Sequence, residues 1–239
     1  MQYQQQQQQH NHMAYAASEA PVEERAKFIE RTYLHLAGAI AAFVGIEALF
    51  LNTPAIRAFG VSMLGNWWIV LIAFMAVGWI AEKWARSNTS SGMQYAGLAL
   101  YVIVEALIFV PLLMIAQAFA AQTGDAIIFP AGVSTMAIFA ALTGFVMFTK
   151  RDFSWMRGVL FIGSLVALGL IAGSMIFGFG LGIIFTVAMI ALAACYILYI
   201  TSNVLRYYHP TQHVAAALHL FSAVALLFWY IIQLFMSRD

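Results

Sequence analysis

Charge is scarce in this chain: Asp, Glu, Lys and Arg make up 9% of its 239 residues, against roughly a quarter in soluble domains. With 63% of residues hydrophobic and a mean hydropathy of +0.85, no soluble fold of this length could cover its apolar surface. The solvent must be lipid, where every backbone N–H and C=O has to be paired within the chain, so only helices or a closed barrel can cross. A barrel is excluded because the apolar runs are unbroken and do not alternate at period two.

Further absences narrow the function. The 11 basic and 10 acidic residues nearly cancel, which leaves no electrostatic case for nucleic acid. The single cysteine, Cys195, lies in an apolar run without an intrachain partner, so the redox compartment is not legible. Lys27, Lys83 and Lys150 all fall at the ends of apolar runs, which removes a retinal-type Schiff base within a span. There is no HExxH pattern and no Cys/His cluster, and the six histidines are scattered. Neither a Gly-x-Ser-x-Gly elbow nor a phosphate-binding loop occurs; Gly178-Phe179-Gly180-Leu181-Gly182 lacks the following Lys-Ser/Thr and reads as a tight turn. The chain is therefore expected to be no enzyme and to hold no metal and no cofactor.

What remains is organised simply. Residues 1–22, with the Gln4–Gln9 tract, His10 and His12, form a low-complexity tail expected to be disordered. Residues 23–239 form one transmembrane domain, opened by a charged amphipathic lead-in through Glu23, Glu24, Arg25, Lys27 and Arg31 that is expected to lie along the membrane surface. The first apolar run lacks the short core and cleavage site of a signal peptide, so it is retained as the first span. Seven runs are each near the roughly 20 residues a bilayer core demands: Tyr33–Leu51, Trp67–Ala85, Gln94–Phe119, Ile127–Phe148, Trp155–Phe177, Leu181–Tyr207 and Val214–Met236. The expected fold is an all-α, seven-helix membrane bundle with short connections. With the N-terminus cytoplasmic, nine basic residues (Arg25, Lys27, Arg31, Lys83, Arg86, Lys150, Arg151, Arg157, Arg206) fall inside and only Arg57 and Arg238 outside. Whether the last run spans or re-enters stays open. Small residues four apart, Gly38 with Ala42, Ala41 with Gly45 and Gly169 with Gly173, predict close helix approach, although glycine is common in membrane helices anyway. Pro111 predicts a kink in the third span.

Ionisable groups at membrane depth are costly, and each is a functional candidate by default. Glu47, Glu105 and His219 qualify. Counting about 1.5 Å of rise per residue places Glu105 near mid-membrane, Glu47 toward the outer leaflet and His219 toward the inner one, so the three could line one polar path. The competing reading makes both glutamates permanently protonated packing elements and His219 a satisfied core histidine.

Three segments carry a family resemblance. Thr149-Lys150-Arg151-Asp152-Phe153-Ser154 resembles the Thr-Lys-x-Asp-Phe-Ser signature of the Bax inhibitor-1 (transmembrane Bax inhibitor motif) family, and Ile197–Asn203 and Leu227–Gln233 are similar to its C-terminal motifs. The resemblance runs from about Glu23 to Met236 and favours the bacterial branch. It implies a central span wrapped by the others in the bacterial inner membrane, a pH-sensitive calcium leak, suppression of cell death in eukaryotes and, in bacteria, modulation of a membrane-anchored AAA protease. It also implies a proton-sharing aspartate pair on the last two spans, joined to an arginine on the second. Those positions fall here on Ile200 and Ala223, and no arginine precedes Arg86 at the end of the second span. The family's sensor is therefore not carried over.

Two functions follow as expectations. One is a weak, pH-influenced leak for calcium, other cations or protons, with Glu105 central and Glu47 and His219 secondary. The other is a non-conducting protein that binds a membrane protease or another membrane partner through its helices and tail. A small-molecule transporter is weaker, since no inverted repeat is visible.

Overall fold

The computed structural model describes residues 16–87 and 90–237; the Gln4–Gln9 tract, and with it most of the tail expected to be disordered, lies outside the described residues. Eight α-helices follow in order: α1 Val22–Leu51, α2 Pro54–Leu64, α3 Trp67–Ala85, α4 Ser91–Thr123, α5 Ile128–Thr149, α6 Met156–Phe177, α7 Gly182–Arg206 and α8 His213–Met236, the last entered through a 3-10 turn, Pro210–Gln212. Seven are long and apolar enough to cross a membrane. No strand occurs among the described residues.

The one addition to the expected layout is α2. Its 11 residues reach about 17 Å, too short to span. Thr53 and Pro54 end α1 and restart a helix at once, with Pro54 at a position where its missing N–H costs nothing. Sequence periodicity does not separate so short an apolar helix from a loop beside a proline. Arg57 donates from Nη1 to the Leu51 carbonyl at 3.1 Å and so occupies an orphan acceptor at the end of α1.

The lead-in and first span form one continuous helix of 30 residues, about 45 Å long. Rather than a surface helix bent into a span, Glu23–Arg31 forms the first turns of the same rod, with acids at its dipole-positive end. Just before it, Ala16–Ala20 makes a turn: Ala17 is fully buried and its N–H donates to the Tyr208 carbonyl at 2.8 Å, while Ser18 Oγ donates to the Arg206 carbonyl at 2.9 Å. The last residues of the expected tail are thus docked on the α7–α8 connection.

Helix α8 is the axis of the bundle. It packs against α1, α3, α4, α5 and α7, and 72% of its apolar window is buried, against 11% for α3 and for α6. Its inner face carries Ala215, Ala216, Ala217, Ala223 and Ala225, small enough to admit neighbours on every side. Phe43, Phe109 and Phe221 meet edge-on where α1, α4 and α8 converge, with ring centroids 5.1 and 5.8 Å apart.

Close approach does not occur where the small-residue pairs predict it. A methyl built on Gly38, Gly45 or Gly169 would meet nothing within 4 Å. The tight contact is at Gly97 instead, where a Cβ would lie 2.5 Å from the Ala81 carbonyl oxygen and 2.7 Å from the Ala85 nitrogen. α4 continues through Pro111, which is buried, as one helix from Ser91 to Thr123.

Candidate functional site

Two of the three predicted site residues share one place. Glu47 on α1 and Glu105 on α4 are both buried, and their carboxyl groups lie close enough to repel each other. Neither Glu47 oxygen has a hydrogen-bond partner, nor does Oε2 of Glu105. The Tyr101 hydroxyl, one turn before Glu105, reaches both its carboxyl and the Ser222 hydroxyl on α8. Two neighbouring buried carboxyls cannot both carry a charge at tolerable cost. Their unpartnered oxygens are acceptors for a proton or a cation.

The third residue, His219, sits apart in a cluster at the end of α3. Its Nε2 is 3.2 Å from Glu82 Oε1, and Glu82 Oε1 is also 3.0 Å from Arg86 Nε. Arg86 Nη2 comes to 3.5 Å from the same His219 nitrogen. On the other side of the ring, Nδ1 faces the Ala215 carbonyl at 2.7 Å and the Tyr208 hydroxyl at 3.1 Å. The carbonyl can only accept, so Nδ1 carries a hydrogen. Protonated, the imidazole also donates from Nε2 to Glu82; neutral, it turns a lone pair toward that carboxylate and toward Arg86 as donor. Protonation thus exchanges one partner for the other. The Glu82 side chain is 43% exposed and that of His219 12%, so the cluster runs from the surface of the bundle into its interior.

Hydroxyl-bearing side chains lie between the two centres. Ser222 Oγ donates to the His219 carbonyl at 3.0 Å, and Tyr101 and Tyr196 both reach the Ser222 hydroxyl. Sequence reading missed Glu82, Tyr101 and Tyr208. Glu82 was legible only as a helix-end charge one turn before Arg86, and Tyr101 only by its four-residue spacing to Glu105.

The signature loop is a staple. Lys150 closes α5 in a left-handed conformation with φ 50°. Asp152 Oδ1 accepts from the Ser154 N–H at 2.8 Å, Oδ2 accepts from the Tyr207 hydroxyl at 2.8 Å, and the Phe153 N–H donates to Ser202 Oγ at 3.0 Å. Arg206 donates to the Lys150 carbonyl. The Ser154 N–H, with the Tyr207 hydroxyl behind it, holds the Asp152 carboxyl below the ordinary carboxylate range. Ile200 and Ala223, on which the resemblance places the family's aspartates, are buried in one apolar cluster.

The comparisons agree with these motifs. The family described as "Inhibitor of apoptosis-promoting Bax1" matches residues 25–239. An uncharacterized protein of Campylobacter jejuni is 30% identical over 184 residues, covering 75% of this chain and 75% of its own.

Proposed function

This chain belongs to the Bax inhibitor-1 family of multi-pass membrane proteins, and from that premise we propose that it lets protons or cations, calcium among them, leak slowly across a bacterial inner membrane under the influence of pH. It works without catalysis. The observation that carries the reading is the Glu47–Glu105 pair, two buried carboxyls with three unpartnered oxygens between them on facing helices. Intramembrane carboxyls of this kind mark ion and proton pathways. Support also comes from the hydroxyls of Tyr101 and Ser222 between the pair and α8, and from the His219 ring set between Glu82 and Arg86.

The test is flux in liposomes of the purified protein, read with calcium and pH dyes. Glu105→Gln keeps shape and hydrogen bonding but removes the ionisable group, and is expected to lower flux at least tenfold. His219→Gln is expected to leave flux but flatten its pH response. Unchanged flux in Glu105→Gln would remove the pair from the pathway.

The apolar occupants of the family's sensor positions, Ile200 and Ala223, favour a second reading, in which the bundle conducts nothing and binds a membrane-anchored AAA protease. Removing residues 1–15 leaves the docked Ala17 and Ser18 in place. Under this reading the truncation loses a co-purifying protease; under the first, flux is unaffected.

A further inference from the structure

Between α1 and α4 the bundle leaves an open groove of about 450 Å³. Gly38 and Ala42 form its floor, Ile46 and Ile103 stand toward one end, and His35 and Tyr95 close the other. Apart from those two rings its lining is hydrocarbon. The eleven helical steps from His35 to Ile46 cover about 17 Å, close to one leaflet of a ~30 Å core. Spread over that length, the volume corresponds to a cross-section of about 26 Å², room for a single extended hydrocarbon chain.

The ringed end is cationic. His35 stacks on Tyr95 at 5.4 Å and faces His213, which opens α8, at 5.0 Å. His213 Nδ1 is buried without a partner. Arg31, one turn before His35 on the same face, accepts at its carbonyl from His35 Nδ1 at 2.6 Å and acts electrostatically on His213. Lys27 lies a further turn out on that face. The acids on the same helix are Glu23 and Glu24, one turn beyond Lys27, Glu30, beside Arg31, and Glu47, past the far end at Ile46; none of the four lines the groove. α4 brings Tyr95 and no charge to this end.

We propose that the groove seats one acyl chain of an anionic phospholipid, with the phosphate of its headgroup held by Arg31, Lys27 and His35. The groove faces the bilayer, where a void lined by apolar atoms fills with hydrocarbon that regains lost dispersion contacts. A cationic mouth level with the headgroups selects negative charge. This site stands independently of the ion pathway.

The experiment reconstitutes the full chain in vesicles of equimolar phosphatidylglycerol and phosphatidylcholine, exchanges it into mild detergent and counts retained lipids by native mass spectrometry. Wild type is expected to keep one phosphatidylglycerol in clear preference. Gly38→Leu fills open space without touching protein and should cut retention at least tenfold, as should Ala42→Leu one turn on. Gly169→Leu, equally open but on α6, should retain lipid like wild type. Arg31→Gln should keep a lipid but lose the headgroup preference. Equal retention of both lipids by wild type, or undiminished retention in folded Gly38→Leu and Ala42→Leu, overturns the proposal.

Discussion

Asp152 shows how a single exposed carboxyl can tie a motif together. Its two oxygens bind the Ser154 N–H within the loop and the Tyr207 hydroxyl at the end of α7, and both bonds favour the ionised form. A carboxyl whose value is lowered by folding adds stability that is fully present above the unfolded carboxylate value, about 3.9, and fades as pH falls through the lower folded value. Asp152→Asn is therefore expected to melt below wild type at neutral pH, with the gap closing in acid below about pH 4. The gap should be small, because water and salt screen an exposed group; thermal unfolding in detergent across pH measures it. Among the functional candidates, Glu47, Glu105 and His219 were legible because charge inside an apolar run is conspicuous. Glu82 and Tyr208 were not, since each stands near a helix end, where polar residues are ordinary, and only tertiary folding brings His219 to them.

At the scale of elements, small residues mean different things in different places. The Gly-x-x-x-small pairs of α1 and α6 predict contacts that are absent, because spacing reports that a helix can be approached and not which neighbour approaches it. Gly97 carries no pair pattern worth noting, yet α3 and α4 meet across it at backbone distance. Gly97→Ala is expected to cost about 1–3 kcal/mol through forced separation of the two helices, and to loosen the Glu82–Arg86–His219 cluster that α3 presents. A lower unfolding temperature together with an altered pH response of flux would report both effects; Gly45→Ala, where space is free, is the matched control. The seven long helices were legible from length and apolarity alone. α2 was not, because an eleven-residue stretch that opens on a proline and carries Arg57 and Ser62 fits a loop as well as a helix.

For the whole molecule, alternation of charge set the layout in advance. The docked N-terminal segment, the end of α3, the α5–α6 connection and the α7–α8 connection come together at one end of the bundle: Ser18 bonds to Arg206, Arg206 to Lys150, and Arg86 approaches His219. Elements that hydrogen-bond to one another must share a side, and these are the segments that carry the excess of Lys and Arg. Cysteines introduced at Arg151 or Ser87 in a Cys195→Ala background are therefore expected to react with a membrane-impermeant maleimide only after the cells are opened. Those at Gly124 or Gly180 should react in intact cells. Which helix would be central was not readable, since several other spans are as apolar as α8; its alanines matter only once the others surround them.

The position of α8 also bears on biogenesis. Translation delivers the N-terminal helices first, but the helix around which α1, α3, α4, α5 and α7 assemble leaves the ribosome after all of them. Until it arrives, those helices wait in the bilayer around an unfilled centre, exposing surfaces suited only to a latecomer. Any factor that guards incomplete membrane proteins therefore has its opportunity on this chain in the interval before α8 emerges.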